Sequence, residues 1–187
     1  KGKELKNAIP DKIYISLKDM RILTKVDMLM LEMLANCNWE RPLYMAISVG
    51  EVSKLKFDHY FVQEGLAFRF TPFDYKKWGN VKGDNNYAID VERLYENVMN
   101  RYKYGGLDTP GLYLDETTLR TCYYQRRLFA QLAKELIRQG DNTRARKVLA
   151  YAEQAVPAYN VPEIYESGSF DIAKAYAALG EKTKAMP

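Results

Sequence analysis

The segment from Phe129 to Pro157 constrains the fold more than any other part of this sequence. Apolar residues recur there every three or four positions on both sides of the pair Gly140-Asp141, which is the pattern of two amphipathic helices joined by a short turn. These positions are Phe129, Leu132, Ala133 and Leu136 before the turn, and Ala145, Leu149 and Ala152 after it. Alanines that let two helices approach closely are typical of a tetratricopeptide-type hairpin. The segment therefore predicts a scaffold rather than a catalytic centre.

A weaker copy of this pattern follows 40 residues later. The matching positions are Ile172, Ala173, Tyr176, Gly180 and Ala185, which correspond to Leu132, Ala133, Leu136, Gly140 and Ala145. Because the usual tetratricopeptide period is about 34 residues, we expect about six inserted residues, within 161–168. We expect the second hairpin to be truncated, and two hairpins are too few to stand alone as a solenoid.

The first part of the sequence predicts a βαβ unit. Residues 12–17 alternate like a strand, and residues 43–49 are apolar without alternation, like a central strand that is covered on both faces. Between them, residues 25–36 carry apolar side chains at helical spacing, after a Thr24 and Asp27 pair that resembles a helix cap. Apolar residues cover most of that helix, so we expect it to be buried on more than one side.

Three more elements complete the predicted organisation. Alternation at 66–71 predicts another strand, Asp90 begins a helix that ends near Arg101, and Asp115 begins a longer helix that ends near Gln139. The predicted fold class is α+β. A small βαβ-containing sheet domain over residues 1–110 is followed by tetratricopeptide-like helical hairpins over residues 111–187.

Charge and composition exclude several classes of function. The 28 basic and 24 acidic residues are interspersed and the net charge is +4, so we predict no nucleic-acid partner. No stretch approaches the roughly 20 apolar residues of a membrane span. Cys37 and Cys122 lack the spacing of a zinc site, and no nucleotide-binding motif is present, so we expect no metal and no cofactor. Two buried thiols are the favoured interpretation of these cysteines, and a disulfide stays open.

Three segments carry a family resemblance: NCNWERPLYMAISV at 36–49, YFVQEGLAFRFTP at 60–72 and LYENVMNRYKYGGLDTPGLYLDE at 94–116. Together with the helical hairpin, they resemble the C-terminal soluble region of a Bacteroidetes family of multi-spanning membrane proteins of unknown function. That family is similar to the GT-C glycosyltransferases and protein O-mannosyltransferases, and it is classed as glycosyltransferase family 117.

This resemblance implies a parent protein whose N-terminal membrane helices transfer sugar from a lipid-linked donor. It implies that our chain is a fragment, the water-soluble tail of that parent on the periplasmic face of the inner membrane. The acidic residues expected to act in such transferases lie in the membrane half, so the resemblance assigns no catalytic residue to this chain.

A few residues have the chemical character that acid–base cleavage of a glycosidic bond requires: His59, Asp90, Asp115 and Glu116. Neighbouring residues at a helix start cannot straddle a sugar bond, and helix capping explains Asp115 and Glu116 without catalysis. His59 lies among aromatic residues, as packed histidines do. The corner Trp39-Glu40-Arg41-Pro42 contains residue types that are common in binding hot spots, but a rigid turn before a strand is the favoured explanation.

The best candidate site is a row of polar side chains on the long helix. Arg127, Gln131, Lys134 and Arg138, here called the basic row, recur at four-, three- and four-residue intervals opposite the apolar face. First-helix residues of this class line the concave groove of tetratricopeptide repeats, where basic side chains clamp carboxylates. The plainer interpretation is a solvated helix face with some pairing to Glu135 or Asp141.

These patterns predict a non-catalytic accessory module of a membrane glycosyltransferase-like protein. Its expected partner is a peptide or protein segment, or the membrane half of its own parent, and contact with the membrane is expected only through the missing N-terminal part. The alternative is a carbohydrate-binding or carbohydrate-active module with its own pocket, placed under a predicted surface loop at 74–86. A cleft with carboxylates and exposed aromatic side chains favours that alternative.

Overall fold

The computed structural model describes residues 12–17, 22–39, 41–49, 58–75 and 87–185. The chain divides into two compact units, Lys1–Asp90 and Val91–Pro187, here called the sheet unit and the helical unit. A small sheet is followed by several helices, which confirms the predicted α+β class. The predicted domain boundary at residue 110 stays a prediction, whereas compactness assigns the helix that begins at Val91 to the second unit.

Within its described residues, the sheet unit contains four short strands: β1 (Tyr44–Ala46), β2 (Phe61–Gln63), β3 (Ala67–Phe70) and β4 (Ala88–Ile89). Their order is β1-β3-β2-β4, with β3 antiparallel to both neighbours and β2 parallel to β4. Among the strands that the structure describes, β1 is therefore an edge strand, which contradicts the prediction of a central strand at 43–49. The run is apolar because Leu43, Met45 and Ile47 pack against the aromatic core, whereas Tyr44 is 51% exposed.

The core of the sheet unit is aromatic. Tyr60, Phe61, Phe68 and Phe70 are all buried, and Phe61 pairs with Phe70 across β2 and β3. The two rings meet edge to face with centroids 5.4 Å apart, a favoured geometry for aromatic pairs. The strand predicted at 66–71 is confirmed as β3, with Phe68 and Phe70 on its buried face.

Helix α1 (Lys25–Asn36) begins with the predicted cap. The Asp27 amide donates to Thr24 Oγ1 at 3.2 Å, and the Thr24 amide donates to Asp27 Oδ2 at 2.8 Å. This reciprocal pair is a capping box, which satisfies two backbone donors that the first helical turn leaves free.

Only one face of α1 is buried. Met30, Leu31 and Leu34 pack against the aromatic core, whereas Leu29 and Met33 are 64% and 59% exposed. The prediction that this helix is buried on more than one side is therefore wrong. A small sheet offers one apolar face, and a helix of 12 residues packs a single stripe on it.

The βαβ unit predicted over residues 12–49 is absent, because residues 12–17 form no strand. Their alternation still has a structural basis: Ile13 and Ile15 pack against the aromatic core, whereas Tyr14 is 78% exposed. Alternation indicates which side chains are buried, but a strand also needs a neighbour to complete its backbone hydrogen bonds.

The helical unit begins with α2 (Val91–Glu96), which continues into a π-helical turn at Asn97–Arg101. It continues with α3 (Glu116–Arg138), α4 (Asn142–Ala155), a 3-10 turn (Tyr165–Ser167) and α5 (Ser169–Ala178). Helix α3 packs against both α4 and α5. Its Phe129, Leu132, Ala133 and Leu136 are fully buried, as are Ala145, Val148 and Leu149 of α4, so the predicted helical hairpin is confirmed at its apolar positions.

The turns that end α3 and α5 have the same geometry. Gly140 and Gly180 both adopt left-handed backbone angles, with φ of 83° and 82°. The Asp141 amide donates to Leu136 O at 2.9 Å, and the Glu181 amide donates to Tyr176 O at 3.0 Å. Because the donors and the acceptors in these two bonds are each 40 residues apart, the internal repeat predicted from sequence is present in the backbone hydrogen bonds.

One buried arginine fixes the connection between α4 and α5. Arg126 of α3 is 2% exposed, and its guanidinium donates to Val156 O at 3.0 Å, Val161 O at 2.6 Å and Pro162 O at 3.1 Å. Burial lowers the pKa of this group from its ordinary value. Three carbonyl oxygens that water cannot reach freely thus receive donors from a single side chain.

Candidate functional site

The basic row lies on the outer side of α3, as predicted. Arg127, Lys134 and Arg138 are exposed, and Gln131 is half-buried. Spacings of three and four residues place these four side chains on one face of the helix. Their role in binding stays a prediction.

Two of the three charged groups in the basic row already have acceptors within the protein. Arg127 Nε donates to Glu166 O at 2.8 Å, and its Nη2 donates to the same oxygen. Arg138 Nη2 lies 2.6 Å from Oε2 of Glu135, the pairing that the plainer interpretation expects. Lys134 forms no ion pair with any residue that the structure describes, so it is the uncommitted charge of the row.

A second candidate site is an open cleft in the helical unit. Its volume is about 730 Å³, within the range of small-molecule sites, and it lies between residues 99–108 and residues 151–159. Four tyrosines contribute to its lining: Tyr102, Tyr104, Tyr151 and Tyr159. The polar groups Lys103, Asp108, Glu153 and Gln154 also line this site, here called the tyrosine cleft.

One wall of the tyrosine cleft is part of the core of the helical unit. The Tyr104 ring lies 5.5 Å from Phe129 and 6.0 Å from Tyr151, measured between centroids. The Tyr104 hydroxyl donates to Val98 O at 2.7 Å, and burial raises the pKa of this phenol well above its usual value. Tyr104 is therefore held in place by packing and by a hydrogen bond.

The turn that follows Tyr104, on the same wall, is held in place by the chain after α4. Gly105 and Gly106 adopt positive φ angles of 64° and 74°, which lets the backbone reverse direction. Asn160 Nδ2 donates to Leu107 O at 2.7 Å, and the Tyr159 hydroxyl donates to Asp108 O at 2.6 Å. Side chains from one wall of the cleft thus fix the backbone of the other, so the cleft is preformed.

The carboxylates considered for glycoside cleavage at the start of α3 have structural roles. Asp115 Oδ1 accepts from the Thr117 amide at 2.9 Å and from the Thr118 amide at 3.1 Å. The Thr118 hydroxyl also donates to this carboxylate, and this bond contributes most to lowering the pKa of Asp115. Glu116 pairs with Arg120 at 2.6 Å on the exposed helix surface. Helix capping therefore accounts for Asp115, and an ion pair along the helix accounts for Glu116.

The remaining candidates lie in the sheet unit. His59 Nε2 lies 4.0 Å from Asp74 Oδ2, and its ring lies 4.5 Å from that of Tyr60. The backbone amide of Asp90 donates to Gln63 O at 3.0 Å, beside the parallel pair β2 and β4. His59 and Asp90 therefore both have contacts with nearby residues. Among the described residues around them, no two carboxyl groups face each other across a cleft.

The Trp39 corner has an unusual backbone. Asn38 and Trp39 both have positive φ, 45° and 58°, a conformation that is uncommon outside glycine. The Trp39 ring stacks on Phe70 with centroids 5.7 Å apart and planes 8° apart, yet its side chain is 51% exposed. Glu40 lies outside the described residues.

Several further expectations concern absent features. In the described segments, no group of His, Cys, Asp or Glu side chains has the arrangement of a metal site. None of the helices in those segments combines the length and the apolar character needed to cross a membrane. Cys122 is buried and Cys37 is half-buried, and both are free thiols. Most of the predicted loop at 74–86 lies outside the described residues, as does any pocket beneath it.

The family described as TMEM260-associated domain 2 matches residues 1–92. The match covers the sheet unit and the first two residues of α2, slightly less than half of the 187 residues. Both the basic row and the tyrosine cleft lie beyond it. No curated protein and no solved structure matches this chain. The finer assignment to a Bacteroidetes family stays a prediction.

Sequence reasoning missed the tyrosine cleft as a site. The chain has 15 tyrosines, and such rings are common in protein cores, so their number alone indicates no site. The pair Gly105-Gly106 indicates a turn, and Tyr102 and Tyr104 before it share one side of an extended segment, but this pattern does not show whether the rings line a cleft or a core. The opposite wall, about 50 residues further on, is brought there only by tertiary packing.

Proposed function

We propose that this chain is a non-catalytic accessory module of a membrane glycosyltransferase-like protein, and that its helical unit holds an acidic peptide or protein segment. The match of residues 1–92 to a TMEM260-associated domain supports a place in a larger protein of that kind. A location on the periplasmic side, and a partner segment in the membrane half of the parent, belong to the same proposal and derive from the family resemblance.

The observation that carries the binding role is the exposed cationic charge at equivalent positions of α3 and α5. Lys134 on α3 is exposed, and Lys174 on α5 occupies the equivalent position 40 residues later. The Lys174 ammonium lies 4.1 Å from the centroid of Phe170 and 4.0 Å from the Asp171 carboxylate. Because the first helices of stacked hairpins line one concave surface, these lysines are suited to hold carboxylates of one bound segment.

The test is a charge reversal that avoids the arginines with structural contacts. We expect Lys134→Glu combined with Lys174→Glu to weaken the binding of acidic peptides from a synthetic array at least tenfold. Lys147→Glu is the matched control, since Lys147 is an exposed lysine on α4 outside the basic row. Fluorescence anisotropy at two salt concentrations measures the affinity, which falls as salt rises if carboxylates are bound. Equal affinity of the double variant and the control contradicts the proposal.

The non-catalytic part of the proposal has its own test. The purified chain is expected neither to hydrolyse glycosides nor to transfer sugar from a lipid-linked donor. Product formation in either assay, lost on substitution of a residue of this chain, overturns that part and leaves the peptide-binding part untouched.

A second candidate function, carbohydrate binding, is favoured by one observation. The tyrosine cleft combines aromatic rings with the carboxylates of Asp108 and Glu153, the features that distinguish this alternative from peptide binding. The cleft does not include any residue of the basic row, so the two functions are testable separately.

A further inference from the structure

Three polar side chains that line the tyrosine cleft have no partner among the described residues. The side chains of Lys103, Asp108 and Gln154 form no hydrogen bond or ion pair with the described residues. Glu153 accepts a hydrogen bond from the Tyr176 hydroxyl on Oε1, which leaves Oε2 for a ligand. The rim therefore offers an ammonium and an amide as donors, and carboxylate oxygens and an amide oxygen as acceptors.

The walls between these polar groups are aromatic and rigid. Tyr104 and Tyr151 meet at an interplanar angle of 78°, so the two rings form a corner instead of one flat surface. The hydrogen bonds from Tyr159 and Asn160 hold the turn at residues 105–109 in place before any ligand arrives. Because a preformed site does not lose conformational freedom on binding, more of the contact energy remains as affinity.

The charges in the cleft exclude several ligand classes. One lysine stands against two carboxylates, which disfavours a phosphate or another anion. A wholly apolar ligand would leave Lys103, Asp108 and Gln154 unpaired, which costs free energy when they are desolvated. A neutral ligand fits these walls if it presents apolar C–H faces to the rings and both donates and accepts hydrogen bonds at its edge.

We propose that the tyrosine cleft is a binding site for a neutral saccharide. Sugar rings have this combination, since each hydroxyl both donates and accepts and the C–H faces pack on the electron-rich faces of aromatic rings. The proposal deepens the second candidate function and rests on it. Asp108 and Glu153 accept from sugar hydroxyls, Lys103 and Gln154 donate to sugar oxygens, and the tyrosines hold the ring faces.

The experiment uses the whole chain and a panel of neutral di- to tetrasaccharides of gluco, galacto and manno configuration. Ligand-observed NMR detects binding, and titration calorimetry measures the affinity of the saccharides that bind. We expect saturable binding that changes less than twofold with added salt, because no charge on the ligand is screened. Tyr151→Leu is expected to weaken binding at least tenfold, whereas Tyr113→Leu, which removes an 89% exposed ring outside the cleft, leaves the affinity unchanged.

A second variant keeps the test decisive if Tyr151→Leu fails to fold. Gln154→Arg places a long side chain at the rim from an exposed position of α4, so we expect native circular dichroism and a tenfold loss of saccharide affinity. Absence of saturable binding to every saccharide, or binding that neither cleft variant weakens, overturns the proposal. Preferential binding of choline or lysine methyl ester also overturns it, because the rings then serve as a cation site. None of these outcomes bears on the binding of acidic peptides by Lys134 and Lys174.

Discussion

The helical unit and the sheet unit differ in whether nearby or distant residues determine their secondary structure. In the helical unit, residues within one turn mark the start and the end of the long helix α3, at Asp115 and Gly140. In the sheet unit, β2 pairs with β3 through a short hairpin but also with β4, which follows 25 residues later in the sequence. Local signals thus define the helices, whereas the sheet depends on contacts between distant segments.

The largest effect is expected from opening the core of either unit. Phe129→Ala removes a fully buried ring that packs on Tyr104 and Tyr151, and Phe70→Ala removes a ring 4% exposed in the sheet unit. Each change is expected to lower the free energy of unfolding by about 3–5 kcal/mol. Both tryptophans of the chain lie in the sheet unit, so tryptophan fluorescence reports that unit, and far-UV circular dichroism mainly reports the helices of the other.

Urea unfolding with both probes then tests whether the two units also unfold independently of each other. Phe129→Ala should shift the circular dichroism transition more than the fluorescence transition, and Phe70→Ala should do the reverse. Identical shifts of both probes in both variants would contradict independent unfolding, since the chain would then unfold as a single cooperative unit.

The next effect separates long-range from local contacts within the helical unit. Arg126→Met removes the donor for the carbonyl oxygens of Val156, Val161 and Pro162, and we expect a loss of about 3 kcal/mol because these acceptors stay buried. Its neighbour Arg127 donates to Glu166 O at an exposed position, so Arg127→Met is expected to cost less than about 1 kcal/mol. Thermal unfolding of the two variants measures the difference. If Arg127→Met lowered the unfolding free energy as much as Arg126→Met, the buried hydrogen bonds of Arg126 would not be what holds the connection between α4 and α5.

A smaller effect comes from the close approach of the 3-10 turn to α3. A Cβ added at Gly168 would lie 3.0 Å from Arg127 N and 3.1 Å from Arg127 Cα, and the glycine has φ of 87°. We expect Gly168→Ala to cost about 2 kcal/mol, from left-handed strain plus the backbone contact. Gly180→Ala has the same strain with open space around its Cβ, and it should cost only about 1 kcal/mol. Equal losses of unfolding free energy in chemical denaturation would mean that the contact with Arg127 relaxes without cost.

The same contrast explains which structural features could be predicted from the sequence. The sequence predicts the caps at Thr24 and Asp115 and the turn at Gly140, because capping and left-handed turns depend on residues a few positions apart. Residues 12–17 show the limit of this reasoning. Their alternation predicts the burial of Ile13 and Ile15 correctly, but pairing with a neighbouring strand is a property of the whole sheet.

The candidate sites follow the same division. Residue spacing alone places the basic row on one helix face. Spacing also indicates the acceptor of Arg138, but it does not indicate the acceptor of Arg127. Glu135 lies three residues from Arg138 on the same helix, so it is an expected partner. Glu166 reaches Arg127 only because the 3-10 turn packs on α3. The tyrosine cleft needs two segments about 50 residues apart, so no local pattern indicates it.

The smallest effect is expected in acid, and it concerns the local charges of the helical unit. Hydrogen bonds from Arg144 lower the pKa of Glu92 and of Asp141, through its guanidinium in the first case and mainly through its backbone amide in the second. A carboxyl group whose pKa is lowered by folding binds fewer protons in the folded than in the unfolded state near pH 4. Its contribution to stability is therefore present above the unfolded pKa of about 4 and is lost as the pH falls through the lower, folded value.

We therefore expect the unfolding free energy of the helical unit to decrease from about pH 5 to about pH 3, and Arg144→Met to reduce that decrease. Arg120→Met is the matched control, because Arg120 pairs with Glu116 at a highly exposed position and such pairs contribute little. Urea titrations at several pH values, followed by circular dichroism, measure the slope. A slope that Arg144→Met leaves unchanged would show that the Arg144 guanidinium does not set the acid sensitivity, which would then lie in carboxyl groups whose backbone hydrogen bonds survive the change, such as Asp141 and Asp115.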